Sequence, residues 1–287
     1  MKYRAIKDNA SRFPVRLMAR ALKVSSAGYY AWRTRPESAR TRANRRLLTE
    51  IRVIHAQSRR TYGSPSVWDR LVKHGHRVNE KRVARLMREA GIRAKTVKKW
   101  RATTDSAHRL PVAPNALDRQ FAPTAPNRAW AGDITYVWTH EGWLYLAVVL
   151  DLYSRAVIGW ATGPRLTADL ATNALTLALW RRRPAPGLLH HSDRGVQYAS
   201  RDYQCQLEAA GIRCSMSRKG NCWDNACVES FFATLKKELI HDARYATRED
   251  ARQDIFEWIE VFYNRQRRHT TLGYRSPAEF EAIMKVA

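Results

Sequence analysis

From residue 129 to 138 the chain takes turns. Trp130, Gly132, Ile134, Tyr136 and Trp138 share one parity, and Ala129, Ala131, Asp133, Thr135 and Val137 share the other. A period of two puts these sets on opposite faces of a strand. Strand-like runs at 128–138, 143–150 and 154–161 follow one another, with turns at 140–142 and 151–153 between them. The period then changes. Residues 167–182 read as a helix with Thr167 at its N-cap, 187–192 as a short strand, 200–210 as a helix and 213–217 as another short strand. Farther on, Val228, Phe231, Phe232, Leu235 and Leu239 repeat at helical spacing behind Asp224 or Asn225 as N-cap. Three adjacent strands followed by alternating helices and strands predict an α/β fold, a mixed sheet covered by helices.

The first hundred residues follow a helical pattern. Residues 14–22, the serines at 25 and 26, and 27–32 read as helix, turn, helix, and 42–58 as a longer helix. The break at 61–65 leads into a helix over 65–73 with Pro65 at its start. Asn79 caps the last one, 80–90, and Gly91 ends it. Along that helix Val83, Leu86, Met87 and Ala90 face a core, while Lys81, Arg82, Arg85 and Arg88 point outward. Residues 101–127 contain Pro111, Pro114, Pro123 and Pro126 with few apolar residues in register and read as a linker. The expected organisation is therefore a basic helix-turn-helix-like region at 1–100, a linker at 101–127 and an α/β core with a C-terminal helical tail at 128–287.

Charge narrows the partner. With 51 Lys and Arg against 26 Asp and Glu, the formal net charge of +25 calls for a polyanion, and DNA leads. The basic face at 81–88, in its helix-turn-helix spacing, is expected to touch DNA. No apolar run approaches membrane-spanning length and no cleavable apolar segment opens the chain, so a soluble intracellular protein with no membrane partner is expected. The four cysteines, Cys205, Cys214, Cys222 and Cys227, form no CxxC pair and are expected to be reduced thiols. Trp130, Trp138, Trp160, Trp223 and Trp258 are expected to pack, with base stacking by Trp223 as the alternative.

Against this basic background three acids stand out. Asp133 lies mid-strand, where a carboxylate is costly unless a metal or a cation pairs with it. Asp193 ends the 187–192 strand before Gly195, at the edge where open α/β sheets present ligand sites, though taken alone it reads more readily as a turn-forming Asp before a glycine. Glu229 is on the helical stripe of Asn225, Ala233 and Lys236 beside the core stripe. Three carboxylates from separate elements suffice to hold two Mg²⁺ ions, and such a pair serves phosphodiester chemistry with no protein nucleophile. His190 is assigned to the strand and His191 to orienting Asp193; the flanking loop at 217–225 brings Arg218, Lys219 and Gly220 near the acids.

These words in this order, WAGDITYV, HSDRGVQY, an acid thirty-five residues on (194–228 intervening), and YNRQRRHTTLGYRSP at 263–277, resemble the OrfB-type transposases of the IS-three group of bacterial insertion sequences. The resemblance runs over nearly the whole chain. It implies an RNase H-like, retroviral-integrase-like core with Asp133, Asp193 and Glu229 as catalytic metal ligands for two Mg²⁺, with Mn²⁺ substituting. It implies DNA contacts by the N-terminal helix-turn-helix and by Lys219 and Lys236; Ala233 departs from the retroviral pattern, which leaves Lys236 as the lysine beside the site. Double-stranded DNA as terminal repeats and target, homo-oligomers, fusion to an upstream reading frame, and a bacterial cytoplasmic, nucleoid-associated location are also implied. A non-catalytic DNA-binding protein or inactive copy, and an RNase H-like nuclease that cuts without joining, are the competing readings.

Overall fold

The computed structural model describes residues 1–95, 111–218 and 222–284, the side chains at 222, 223 and 284 apart. Helices α1 (Lys2–Asp8), α2 (Val15–Ala21) and α3 (Ser26–Thr34) close a small core of Ile6, Ala19 and Tyr29. A second trio, α4 (Ala39–Gln57), α5 (Ser64–Lys73) and α6 (Glu80–Glu89), packs around Ile51, Val67, Leu71 and Val83. Local chemistry sets these bounds. Asn79 Oδ1 accepts from the Arg82 amide at 2.8 Å, and Gly91 takes φ +68° just past the end of α6, a backbone that suits glycine.

The strand-like runs form a five-stranded sheet of order β3-β2-β1-β4-β5. Strands β1 (Ala129–Thr139), β2 (Gly142–Asp151) and β3 (Val157–Gly163) are antiparallel neighbours. Strands β4 (Leu189–Ser192) and β5 (Arg213–Met216) run parallel to β1, reached through α7 (Ala168–Arg182) and α8 (Arg201–Ala209). After β5 a short 3₁₀ turn, Cys222–Asn225, leads into α9 (Ala226–Glu238). Helix α10 (Arg248–Glu257), a π-helical stretch (Trp258–Tyr263) and α11 (Pro277–Met284) complete the chain.

Both faces of the sheet are covered. On one, Ala131, Val137, Leu146, Val148 and Leu150 meet Val228, Phe231, Leu235, Ile255 and Trp258 of α9, α10 and the π-helical stretch. Across the sheet, Trp130, Ala147, Val149 and Ile158 meet Leu170, Ala174, Leu175, Tyr203 and Leu207 of α7 and α8. At about 1.5–3 kcal/mol for each large apolar side chain buried, these two layers dominate the stability of the core. Close approach of α7 to β3 depends on Gly159, where an added Cβ would lie 2.2 Å from the Ala174 carbonyl oxygen.

Of the expected linker, 101–110 lies outside the described residues. The stretch 111–127 has no helix or strand but is docked: Leu117 is buried, and the Ala116 and Leu117 amides donate to Ser215 Oγ at 3.0 and 3.1 Å. A free tether is therefore not what this part forms. Prolines removed regular structure, while Leu117 still found the core.

The tail 263–277 is a clasp. Asn264 bonds both the amide and the carbonyl of Val157, at 3.0 and 2.9 Å, and the Arg267 guanidinium forks onto the buried Glu238 carboxylate at 2.8–3.0 Å. Its main chain also reaches the N-terminal helices, since Tyr62 Oη accepts from the Arg268 amide at 2.9 Å and donates to the Gln266 carbonyl at 3.4 Å. Lys95 joins Asp242 at 2.7 Å and Arg59 joins Glu257 at 2.7 Å across the same contact.

Candidate active site

Strand β1 pairs with β4 only through Ala129, Trp130 and Ala131 among the described residues, and next meets a neighbour on that edge at the Thr139–Tyr245 bridge. Asp133 lies on β1 within this unpaired stretch of the edge. One carboxylate oxygen accepts from the Ile134 amide at 2.8 Å. Loss of solvent, together with the negative charges of Asp193 and Glu229, pushes its pKa well above the ordinary carboxylate value, against that hydrogen bond and the positive charge of Lys236. Asp133 is thus costly to hold as an anion, a cost that a proton or a bound cation relieves.

Asp193 follows β4 directly. Its Oδ1 accepts from the Gly195 amide at 2.8 Å, and a Cβ at residue 195 would lie 2.9 Å from that oxygen, so a side chain there would push the Asp193 carboxylate aside. The strand end is set by His191, which does not bond Asp193 as expected. Ser215 Oγ already accepts two backbone N–H groups, so its own hydrogen goes to His191 Nδ1 at 2.9 Å. His191 Nε2–H then donates to Ser217 Oγ at 3.2 Å, and Ser217 donates to the Ser192 carbonyl at 3.3 Å. Burial pushes His191 down to about 4, which keeps this neutral tautomer in place at pH 7. The imidazole is a rivet between β4 and β5, and through them it fixes Asp193. His190 belongs to the strand as expected, with Nε2 on the Tyr203 hydroxyl at 3.0 Å.

Glu229 rides on α9, whose stripe of Val228, Phe231, Phe232, Leu235 and Leu239 is buried as the spacing predicted. Neither expected N-cap side chain caps. Asn225 is buried and reaches across the gap, its Nδ2 donating to the Gly132 carbonyl at 3.5 Å, next to Asp133. Asp224 is fully buried and takes bonds from Arg218 Nε and Nη2, the Arg218 amide, Arg119 Nε and Asn115 Nδ2, all at 2.9–3.1 Å. The Arg218 hydrogen bond, with Arg119 beside it, holds that carboxyl far below its usual range. Asp224 is committed to structure: it ties 115–119 to the start of the helix that carries Glu229. Burial raises the pKa of Glu229 itself.

Lys236 lies two turns beyond Glu229. Its ammonium is 5.0 Å from the Tyr136 ring centre and is felt by Asp133, while burial lowers its pKa. Asp133 thus lies in the field of both other acids at the β1/β4 split. Among the described residues no three acid, histidine or cysteine side chains close into a finished metal shell. Donor chemistry nonetheless fits a hard divalent cation: carboxylate oxygens only, mutually repelling, with Asp133 destabilised as an anion until positive charge arrives.

Family comparison reaches the same region. The profile described as an integrase core domain matches residues 123–222, a second of that description matches 210–277, and one described as an HTH-like domain matches 42–100. An IS600 insertion-element protein of 31 kDa from Shigella sonnei is 49% identical over 263 residues, 92% of this chain and 97% of its own length. The transposase InsF of insertion sequence IS3A from Escherichia coli K12 is 47% identical over 283 residues, 98% of each chain. This chain belongs to the IS3-family transposases. The solved simian T-cell lymphotropic virus intasome has 18% identity and a TM-score of 0.47, over 79% of the transposase and 72% of that chain.

Within the transposase the expected DNA contacts are dispersed. Lys81 is exposed on α6; Arg82 is bonded to Asn44 of α4 at 2.7 and 3.0 Å; Arg85 is paired with Glu89 at 2.8 Å. Lys219 and the side chains of Cys222 and Trp223 lie outside the described residues. Cys205, Cys214 and Cys227 are free thiols. Trp130 and Trp258 are fully buried and Trp160 is packed with Nε1 on Glu260 at 2.8 Å, but Trp138 is 57% exposed, contrary to expectation. Strand parity alone gave its face; it could not tell that the helices covering that face stop short of the hairpin end. Asn225 and Asp224 were visible only as caps: the Gly132 partner of Asn225 and the Asn115 and Arg119 partners of Asp224 are about 90 to 110 residues away in sequence, and the bonds from nearby Arg218 need the folded loop.

Proposed function

We propose that this transposase cuts and joins DNA at its element's ends as a DDE-type polynucleotidyl transferase, with Asp133, Asp193 and Glu229 as the acidic triad. The reading is supported chiefly by one observation: Asp133, at the gap in the β1 edge, feels both Asp193 and Glu229 while Lys236 offsets them. These three residues would hold two Mg²⁺ ions, or Mn²⁺ in their place, and such ions activate an oxygen nucleophile and neutralise charge on the phosphate.

The protein's own groups orient the reaction. Asp133 is fixed by the Ile134 amide and Asp193 by the Gly195 amide, while Asn225 and Asp224 set the start of α9 and so the position of Glu229. Lys236 supplies a cation for the DNA backbone. In the first step water adds to phosphorus as the bond to the 3′ oxygen breaks, leaving a 3′-OH and a 5′-phosphate. That 3′-OH then attacks a second phosphodiester in line, and a new 3′ oxygen leaves. No bond to the protein forms.

Lys81, Arg82 and Arg85 of α6, with Lys219 near the site, would contact double-stranded DNA, terminal repeats and target alike. Arg82 and Arg85 would exchange their present partners for phosphates. Two ends must meet, so a dimer or larger assembly acts, with fusion to an upstream reading frame as the complete form. The test is nicking and joining of a supercoiled plasmid carrying the element's ends, with Mg²⁺ or Mn²⁺, by parent, Asp193→Asn and Glu229→Gln proteins, alone and fused upstream. Both variants are expected to lose more than about 100-fold in rate, a several-kcal/mol loss at the transition state, while still binding DNA. Cleavage by Glu229→Gln at the parental rate sinks the triad, and cutting without joined products makes the protein a nuclease.

A further inference from the structure

The end of the β1–β2 hairpin carries four aromatic rings in two facing pairs, Tyr136 opposite Tyr145 and Trp138 opposite Trp143. They form an edge-to-face ladder, with ring centres 4.8 Å apart for Trp138–Trp143, 4.9 Å for Tyr136–Trp143 and 6.5 Å for Tyr136–Tyr145. The outer pair is open to water, Trp138 at 57% and Trp143 at 42% exposure. Two neighbouring half-exposed indoles forgo burial that a shorter hairpin or polar residues would not require.

Charge at this patch indicates what covers it. The Lys236 ammonium lies over Tyr136, on the same α9 stripe as Glu229, and its field reaches Asp133. Arg248 adds a guanidinium whose Nε bonds the Trp143 carbonyl at 3.0 Å; the one acid at the turn, Glu141, is engaged by the Arg248 amide at 2.9 Å. Flat π faces beside cations suit a nucleobase joined to a phosphate backbone. Asp133 and Trp138 are five strand steps apart, roughly 16 Å at about 3.3 Å each, and on opposite faces of β1, so a DNA strand reaching both passes round the β1 edge that β4 leaves unpaired beyond Ala131 among the described residues. That span is about five base steps of duplex and fewer of an unstacked strand.

We propose that Trp138 and Trp143 form a stacking platform for an unpaired base of the DNA strand whose phosphate lies at the acidic triad. The platform holds a frayed or flipped base near the cleavage point, so its preference is for single-stranded over paired DNA. This deepens the strand-transfer reading and rests on it for the position of the strand. Stacking itself needs neither metal nor chemistry.

The experiment therefore runs on the full chain in chelator, with fluorescein-labelled oligothymidylate of twenty residues and a random twenty-base-pair duplex as probes. Trp138→Ala and Trp143→Ala are each expected to weaken oligothymidylate binding about 5- to 100-fold, the range of one base–aromatic stack, with duplex binding changed less than about twofold and Trp138→Phe retaining most of the parental affinity. Oligothymidylate should quench parental tryptophan fluorescence more than it quenches Trp138→Ala. Equal losses on both probes, or on neither, overturn the proposal. A change in sedimentation with unchanged oligothymidylate binding assigns the patch to a second copy of the chain instead. Asp133→Asn, bound in the same buffer, separates the readings: it keeps stacking even if the triad assignment fails.

Discussion

His190, His191 and His269 show how a single residue type is read differently once its surroundings are known. All three are pushed down by burial, to about 3, 4 and 3, so the folded chain holds them neutral while the unfolded chain protonates them near 6.5. The unfolded state thus binds more protons as pH falls. Stability should be insensitive to these groups above about 6.5 and should fall from there toward about 4, each contributing up to about 1.4 kcal/mol per pH unit. Asp133 and Glu229, whose pKa values are raised, act in the opposite sense and blunt the loss. Thermal melts between pH 7.5 and 4.5 check this. The parent should lose Tm on acidification, and His269→Phe, which can keep the ring contact with Tyr263, should lose less. A flat parental profile would contradict the burial argument. A histidine beside an acid invites a chemical role in sequence; here the donor count makes His191 a rivet.

The element that most departs from its pattern is the stretch after α10. Trp258, Ile259, Phe262 and Tyr263 are all buried where the chain widens to a π-helical turn, seen in the Asn264 amide bonding the Ile259 carbonyl and the Arg267 amide bonding the Phe262 carbonyl. That spacing of apolar residues is also compatible with an ordinary helix, so the widening was not legible in the sequence. Its consequence is the placement of Asn264 on the Val157 backbone. Removing that side chain in Asn264→Ala leaves a buried amide and carbonyl unpaired and should cost about 2–4 kcal/mol, read as a lower urea midpoint with an unchanged m-value. An unaltered midpoint would mean that the clasp is dispensable. The tail at 263–277, one of the segments that mark the family, is in this structure engaged in packing.

Across the whole molecule the +25 charge is unevenly committed. Some of it is paired within the chain, as in Arg267 on Glu238 and the half-exposed Arg218 on Asp224, and some, like Lys81, faces water. Duplex binding should fall with salt at a log–log slope of about 0.9 per phosphate neutralised. Lys81→Ala should reduce that slope by about one contact without changing sequence preference, measured by titrating a random duplex at several salt concentrations. Salt-insensitive binding would defeat the electrostatic reading. The Tyr62, Lys95 and Arg59 contacts with the tail region bring the N-terminal helices against the core, so any DNA bound by α6 would be carried by the same body that holds Asp133, Asp193 and Glu229.

The sequence by itself determined the local periods: where strands alternate, where helices begin, which stripe of α9 is apolar, and, through its ordered motifs, the family. Those features depend on neighbours a few residues apart, whose geometry is fixed by backbone stereochemistry. Tertiary structure alone decided that Asp224 is an anchor, that His191 joins Ser215 and Ser217, that 111–127 docks, and that Trp138 is exposed. Each of those depends on partners tens to hundreds of residues away or on how far a covering helix extends, and such distances are set by packing in three dimensions.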